Sequence, residues 1–374
     1  MRAVIMAGGQ GTRLRPLTNN QPKPMIPIVN TPCMEHIVRL LKRYGFEDIV
    51  VTLEYMPEAI RGYFGDGSAW GVKMEYSVEE EPLGTAGSVK CVEEWLPERF
   101  VIVSGDALTD VDLEKAVAFH EERGAEVTLV LKEVDDPSGF GIVVVDDDGR
   151  VTEFLEKPDE DEVFSNTANT GIYVVEPGVL QDIPEGQEYD WSKDHFPKML
   201  EEGRPVYGYV MKGYWEDIGN IEQYIGAQRD VLDGKVRGVE PAGEKLREGV
   251  YTGSGAEVDE EALEGPVVLG ENVRVAPAAR VGPYSVLAPG VSVEADATVA
   301  RSTVGEGSSV REGAELDGAL IGRSCSIGAR TRLLEGSALG DGVTVGEEAT
   351  VASGVSVESG ESIEDGAEVT ENVS

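Results

Sequence analysis

AVIMAGGQGTRLRPLTNNQPKPM, residues 3–25, joins a short apolar run to a glycine-rich turn and then to three cations. A strand running into Gly8, Gly9 and Gly11 can turn sharply with its N–H groups converging, and Arg13, Arg15 and Lys23 add positive charge. In a chain of net charge −38, cations gathered around one turn point to an anionic, phosphate-bearing ligand. Two other phosphate loops fit less well. A dinucleotide loop needs a third small residue for close helix packing where this chain carries an arginine, and no Gly-Lys-Ser/Thr follows as in a P-loop. An arginine and a distant lysine on one loop suit a triphosphate under attack better than a resting pyrophosphate.

Outward from this motif, apolar runs alternate with amphipathic stretches as far as about residue 233, the pattern of an α/β layer fold with a mostly parallel, Rossmann-like sheet. The spacing predicts strands at 3–6, 49–53, 72–78, 100–103 and 127–131, and helices at 34–44, 57–64, 86–95 and 113–122. Further extended pieces at 141–145, 151–155, 171–175 and 207–210 make the later part of the sheet mixed. Such sheets gather ligands at the carboxyl ends of their strands, where the glycine turn sits.

The character changes after Lys235. Residues 237–249 read as a linker rich in Gly, Pro, Glu and Lys, and beyond them an aliphatic residue recurs every six positions. The series runs Leu269, Val275, Val281, Leu287, Val293 and Val299. After a five-residue step come Val304, Val310 and Leu316, and after a second come Ile321, Ile327, Leu333, Leu339, Val345, Val351, Val357, Ile363 and Val369. Small or acidic residues usually follow, leaving room for tight corners. This is the hexapeptide pattern of a left-handed parallel β-helix. The expected organisation is a catalytic domain over 1–236, the linker, and a β-helix over 250–374. With no capping helix in the repeats, subunit packing or a further segment is expected to cover the last coil, and a homo-oligomer is expected. His36, His120 and His195 all precede the repeats, so the histidine-based acyl transfer seen on similar coils is not expected.

At 374 residues and 41% hydrophobic content, two cores are within reach without staples. Cys33, Cys91 and Cys325 are widely spaced, in no disulfide or zinc pattern. No apolar run approaches the roughly 18 residues of a spanning helix, and no signal core precedes the glycines, so a cytoplasmic protein without a membrane partner is expected. Both parts of the chain are strongly acidic, which repels nucleic acid and gives a well-solvated surface or one adapted to a salty cytosol.

Asp106 follows the predicted strand at 100–103, and Asp217 follows the extended run at 207–215. Two aspartates converging from separate strand ends fit Mg²⁺, which takes one or two carboxylates plus substrate phosphates. Asp110 and Asp112 read instead as a turn and a helix start.

GGQGTRLRPLT with PKPM resembles the signature of the sugar-1-phosphate nucleotidyltransferases, and the resemblance runs through nearly the whole chain. EPLGTAG (81–87), SGDALTD (104–110), FGIVVVD (140–146), FLEKP (154–158), NTGIY (169–173) and WEDIGN (215–220) follow in order. The repeat tail and EPLGTAG are most similar to mannose-1-phosphate guanylyltransferases. The resemblance implies in-line attack of a sugar 1-phosphate on the α-phosphorus of a nucleoside triphosphate, releasing pyrophosphate. It assigns Arg13 and Lys23 to catalysis, Gly8, Gly9, Gly11, Thr12, Glu79 and Gly84 to the nucleotide, and Gly141, Glu156, Lys157 and Asn169 to the sugar phosphate. Asp106 and Asp217 become the Mg²⁺ ligands. Guanine presents adjacent N1–H and N2–H donors that one carboxylate can accept, so Glu79, standing where thymidylyl and uridylyl relatives usually place glutamine, favours GTP and GDP-mannose. The alternatives are a uridylyl- or thymidylyltransferase for glucose 1-phosphate, or a regulatory subunit that binds nucleotide sugar. Glu156 and Lys157 raise a difficulty, because neighbours on a strand point to opposite faces and both can serve only if the chain bends there.

Overall fold

A computed structural model describes residues 1–374, the side chain of Glu160 excepted. The chain groups into two compact units, Met1–Gly9 with Cys33–Asp217 and Gln10–Pro32 with Ile218–Ser374. Each departs from a simple division along the chain, since the phosphate-loop segment Gln10–Pro32 is grouped with the repeats.

The first unit is built on a nine-stranded sheet. Its strands are β1 (Arg2–Met6), β2 (Asp48–Leu53), β3 (Lys73–Val78), β4 (Phe100–Ser104), β6 (Val127–Glu133), β7 (Gly141–Val145), β8 (Val151–Glu156), β9 (Thr167–Val175) and β10 (Val206–Val210). A separate ribbon pairs β5 (Ala107–Thr109) with β11 (Trp215–Asp217). Strands β3, β2, β1 and β4 lie side by side and parallel. Beyond β4 the sheet is mixed, because β9 runs antiparallel to β4, β6 and β7. Val4, Val50 and Ile102 are fully buried at the centres of β1, β2 and β4, which is why these runs are continuously apolar rather than alternating.

Helices α1 (Cys33–Arg43), α2 (Pro57–Phe64), α3 (Gly84–Lys90), α4 (Leu113–Arg123) and α5 (Phe196–Glu201) belong to this unit. Asp112 caps α4 by accepting from the Lys115 N–H at 3.1 Å, and Asp110, nearly fully buried, accepts from the Tyr214 N–H at 2.7 Å. Both serve as the turn and helix start read from the sequence.

The second unit holds α6 (Ile221–Leu232), capped by the Asn220 side chain, and the β-helix. Three parallel sheets of short strands form its faces, and the eighteen hexad positions point inward. Coils stack in register, with Val275 opposite Val293 but Leu287 opposite Val304. The two five-residue steps are thus absorbed as coils one residue shorter, without loss of stacking. Corners take the left-handed conformation, at Tyr284 (φ 57°) and Arg330 (φ 56°) as well as at glycines. The predicted linker contains a strand, Glu244–Arg247, antiparallel to Val250–Thr252 at the head of the coils. All four of its residues are exposed, so no alternation marked it in the sequence, and it covers an edge that the first coil would otherwise leave open.

Among the described residues no helix is long and apolar enough to cross a membrane. Cys33, Cys91 and Cys325 form no disulfide with one another.

Candidate active site

The carboxyl ends of β3, β2, β1 and β4 carry Glu79, Glu54, Gly8–Gly9 and Asp106 in spatial order. Met6 is level with Thr52 on one side and Ser104 on the other, so the residues just beyond line up across the four strands. The strand order reverses between β1 and β4, the place where open parallel sheets leave a crevice for ligands. A Cβ added to Gly8 would lie 3.3 Å from Glu54 Cβ, and one added to Gly9 would lie 3.8 Å from Asp106 Oδ2. The glycine backbone is therefore flanked closely by carboxylates on both sides.

Asp106 is oriented by Ser104, whose hydroxyl donates to Oδ1. Asp217 is directly opposite Ala107 in the β5–β11 ribbon, so two aspartates over a hundred residues apart in the chain stand one position out of register. Asp217 is held by strand pairing rather than by a loop.

On the other side, Glu79 Oε2 accepts the Leu83 N–H at 2.9 Å, closing the turn that leads into α3. Burial pushes the Glu79 carboxyl up; the Leu83 N–H opposes this and the Glu54 charge adds to it. Gly84 has φ 70°, and a Cβ there would strike the Tyr189 carbonyl at 2.8 Å, so only glycine permits this approach. That carbonyl accepts the Ala86 and Gly87 N–H groups, both at 2.9 Å, while Thr85 Oγ1 donates to Asp190 Oδ1 at 2.8 Å.

The sugar-phosphate candidates gather at β7, β8 and β9. Gly141 faces Glu156 across the β7–β8 pair, and a Cβ on Gly141 would come within 2.5 Å of Glu156 Oε2. Asn169 is nearly buried; its Nδ2 donates to the Tyr173 hydroxyl at 3.0 Å and to Ser192 Oγ at 3.2 Å. The difficulty over Glu156 and Lys157 is resolved by the backbone. β8 ends at Glu156, and Lys157 takes φ 48°, breaking the strand alternation. Burial raises the Glu156 carboxyl, and the Lys157 and Lys193 charges pull it back, so both ammonium groups act on it.

Several of these residues carried no signal in the sequence. Ser192 and Asp190 sit in a stretch, YDWSKDH, without repeat or motif, and its π-helical turn, Trp191–His195, has no periodicity that a helix or strand pattern detects. Glu54 follows an apolar run with nothing to distinguish it from a solvated strand end. Thr85 lay within EPLGTAG and could have been read from it.

The remaining candidates lie on Gln10–Pro32, in the second unit. Gly11 (φ 70°) starts a 3-10 turn, Thr12–Leu14, that carries an exposed Arg13 on a fully buried Leu14. Thr18 Oγ1 donates to the Gly11 carbonyl at 2.7 Å, and a Cβ on Gly11 would lie 3.0 Å from Lys23 Cβ. Gly11, Thr12, Arg13 and Lys23 thus form one packed loop, with Lys23 only 8% exposed.

A parallel sheet whose central strand opens into a glycine turn flanked by carboxylates, with mixed strands beyond it, is a nucleotidyltransferase fold. The nucleotidyl transferase family model matches residues 2–234, and that of the GMPPB C-terminal domain matches residues 263–372. A UTP–glucose-1-phosphate uridylyltransferase from Synechocystis sp. is 40% identical over 87% of this chain and 88% of its own. A mannose-1-phosphate guanylyltransferase from Mycobacterium tuberculosis is 37% identical over 80% of this chain and 83% of its own. The crystal structure of HddC from Yersinia pseudotuberculosis complexed with GMP-PN is 27% identical with a TM-score of 0.53, covering 61% of this chain and 98% of that one. The chain belongs to the sugar-1-phosphate nucleotidyltransferases, and is an enzyme of that class.

Proposed function

We propose that the chain is a Mg²⁺-dependent mannose-1-phosphate guanylyltransferase, converting GTP and mannose 1-phosphate into GDP-mannose and pyrophosphate. The observation that carries the choice of base is the half-buried Glu79 carboxylate, with Glu54 beside it, at the end of the site away from Asp106. Guanine turns two adjacent donors toward such a group, whereas uracil flanks its one N–H with carbonyl oxygens that two carboxylates would repel. The guanylyltransferase from M. tuberculosis supports this reading. The 40% identical uridylyltransferase favours UTP and glucose 1-phosphate as the second reading.

In the proposed reaction an oxygen of the sugar phosphate attacks the α-phosphorus in line as the α–β bridging bond breaks, and pyrophosphate leaves with that electron pair. Catalysis then consists of positioning and charge neutralisation. The Gly8 and Gly9 backbone cradles the phosphates, Arg13 meets the charge growing on the departing pyrophosphate, and Lys23 bridges the α-phosphate and its attacker. Lys157 pairs with the sugar phosphate, while Glu156, Asn169 and the Gly141 N–H orient the sugar hydroxyls. Asp217 at the end of the ribbon opposite Ala107, and Asp106 one residue before that strand, suit a cation that keeps most of its ligands for phosphate oxygens. Magnesium, when bound, would neutralise charge on the reacting phosphates.

Pyrophosphate release measured for GTP, UTP, dTTP and ATP, each with mannose and glucose 1-phosphates, tests this. The GTP and mannose 1-phosphate pair is expected to have the highest kcat/KM; a preference for UTP and glucose 1-phosphate would establish the second reading instead.

A further inference from the structure

The loop that bears Arg13 and Lys23 is tied to the β-helix, with which it shares one compact unit. Asn19 Nδ2 donates to the Glu358 carboxylate and to Ser359 Oγ, the latter at 3.4 Å. Asn20 Nδ2 donates to Asp341 Oδ2 at 3.4 Å, and Arg323, itself paired with Asp341, donates to the Asn20 carbonyl at 3.4 Å. At the other end of the loop, Asn30 Nδ2 donates to the Leu287 carbonyl at 2.9 Å. Gln228 of α6 accepts from the Val29 N–H at 3.2 Å and donates to Thr303 Oγ1 at 2.7 Å, bridging loop, helix and coil.

These anchors reach the two cations through few intermediaries. Asn19 adjoins Thr18, which grips the Gly11 carbonyl, and Gly11 begins the turn carrying Arg13 while lying against the Lys23 stem. Hydrogen bonds to charged groups are stronger than neutral ones, and both Asn19 to Glu358 and Asn20 to Asp341 are of this kind, with Asn19 the one that adjoins Thr18. The coils are a fitting support because each is locked to its neighbours by in-register pairing, and a loop on rigid elements holds geometry better than a free one.

We propose that the β-helix is part of the catalytic apparatus. Its coils at Asp341 and Glu358 hold the loop Gln10–Pro32, and Asn19 is the positioning residue through which they fix Arg13 and Lys23. This rests on the reading that those two cations act on a triphosphate, and it is independent of which base or sugar is used.

The test exchanges donor and acceptor. Asn19→Asp sets a carboxylate against Glu358 and is expected to lower kcat about 10- to 100-fold with the thermal midpoint unchanged. Adding Glu358→Gln lets the amide donate to the new carboxylate, and kcat is expected to return to within about threefold of the starting protein. In an Arg13→Ala background, Asn19→Asp should remove clearly less than it does in the starting protein, since one of the two groups it positions is gone. Unaltered kcat in Asn19→Asp overturns the proposal. So does a loss that Glu358→Gln fails to recover, or one that is fully additive with Arg13→Ala. A starting protein that releases no pyrophosphate from any nucleotide and sugar phosphate pair removes the underlying reading of Arg13 and Lys23, and the proposal with it.

Discussion

The β-helix and the sheet unit solve the burial problem in opposite ways. In the coils, Leu287, Val304, Ile321 and Leu339 stack on one face because each strand meets a copy of itself one turn on, so a single local rule repeated along the chain specifies the structure. In the sheet unit, the candidate row of Glu79, Glu54, Gly8–Gly9 and Asp106 exists only because four strands separated by helices line up at one end. Periodicity thus writes stability into adjacent residues, and crossover topology writes chemistry into distant ones.

That contrast can be broken by substitution. Arg13→Ala removes the cation proposed to meet developing charge, and kcat is expected to fall about 10²- to 10³-fold with little change in unfolding midpoint. Leu333→Ala, in the middle of a coil face where Leu333 is fully buried, is expected to do the reverse and cost about 2–5 kcal/mol in denaturant unfolding. If Leu333→Ala proved neutral to stability, the coils would not be packed as described.

Smaller effects sharpen the comparison within the sheet unit. Glu79→Gln is expected to shrink the preference for GTP over UTP by about tenfold, the value of one lost hydrogen bond to a charged group. Because burial raises the Glu79 carboxyl, GTP affinity should weaken as pH falls toward that raised value, when the protonated group no longer accepts two donors. This acid-side weakening should be absent from Glu79→Gln; titration of KM for GTP against pH in both proteins would show it.

His195 gives an effect confined to acid pH. Fully buried, with neither ring nitrogen hydrogen-bonded among the described residues, it is pushed down to about 4 from 6.5 by burial, and Arg204 and Lys198 add to the shift. The unfolded chain then binds the proton more readily than the folded one between those values. Stability is full above about pH 6.5 and declines as pH falls toward 4. His195→Phe should flatten that part of the stability–pH curve, and an unchanged slope would assign the acid sensitivity to other groups.

Much of this was legible in the sequence. All eighteen aliphatic positions fell on the coil interior, and the strands and helices of the sheet unit lie within a few residues of where hydrophobic spacing placed them. The helix expected over 86–95 is α3 only to Lys90 and then a 3-10 turn, Glu93–Trp95, and α5 and the short strand β5 were not anticipated. What stayed hidden depends on contacts between distant segments. Ser192 reaches Asn169 only because a π-helical turn packs under the 81–87 loop, and the bend at Lys157 is a single backbone angle with no residue signature. The grouping of Gln10–Pro32 with the coils was equally invisible, since Asn19 and Glu358 are 339 residues apart.

The most direct measurement is a crystal structure with a non-hydrolysable GTP analogue, Mg²⁺ and mannose 1-phosphate. The expected result is one metal between Asp106 and Asp217, the phosphates over Gly8 and Gly9, and the guanine N1–H and N2–H on Glu79. A purine bound away from Glu79, or a metal held by neither aspartate, would contradict the account.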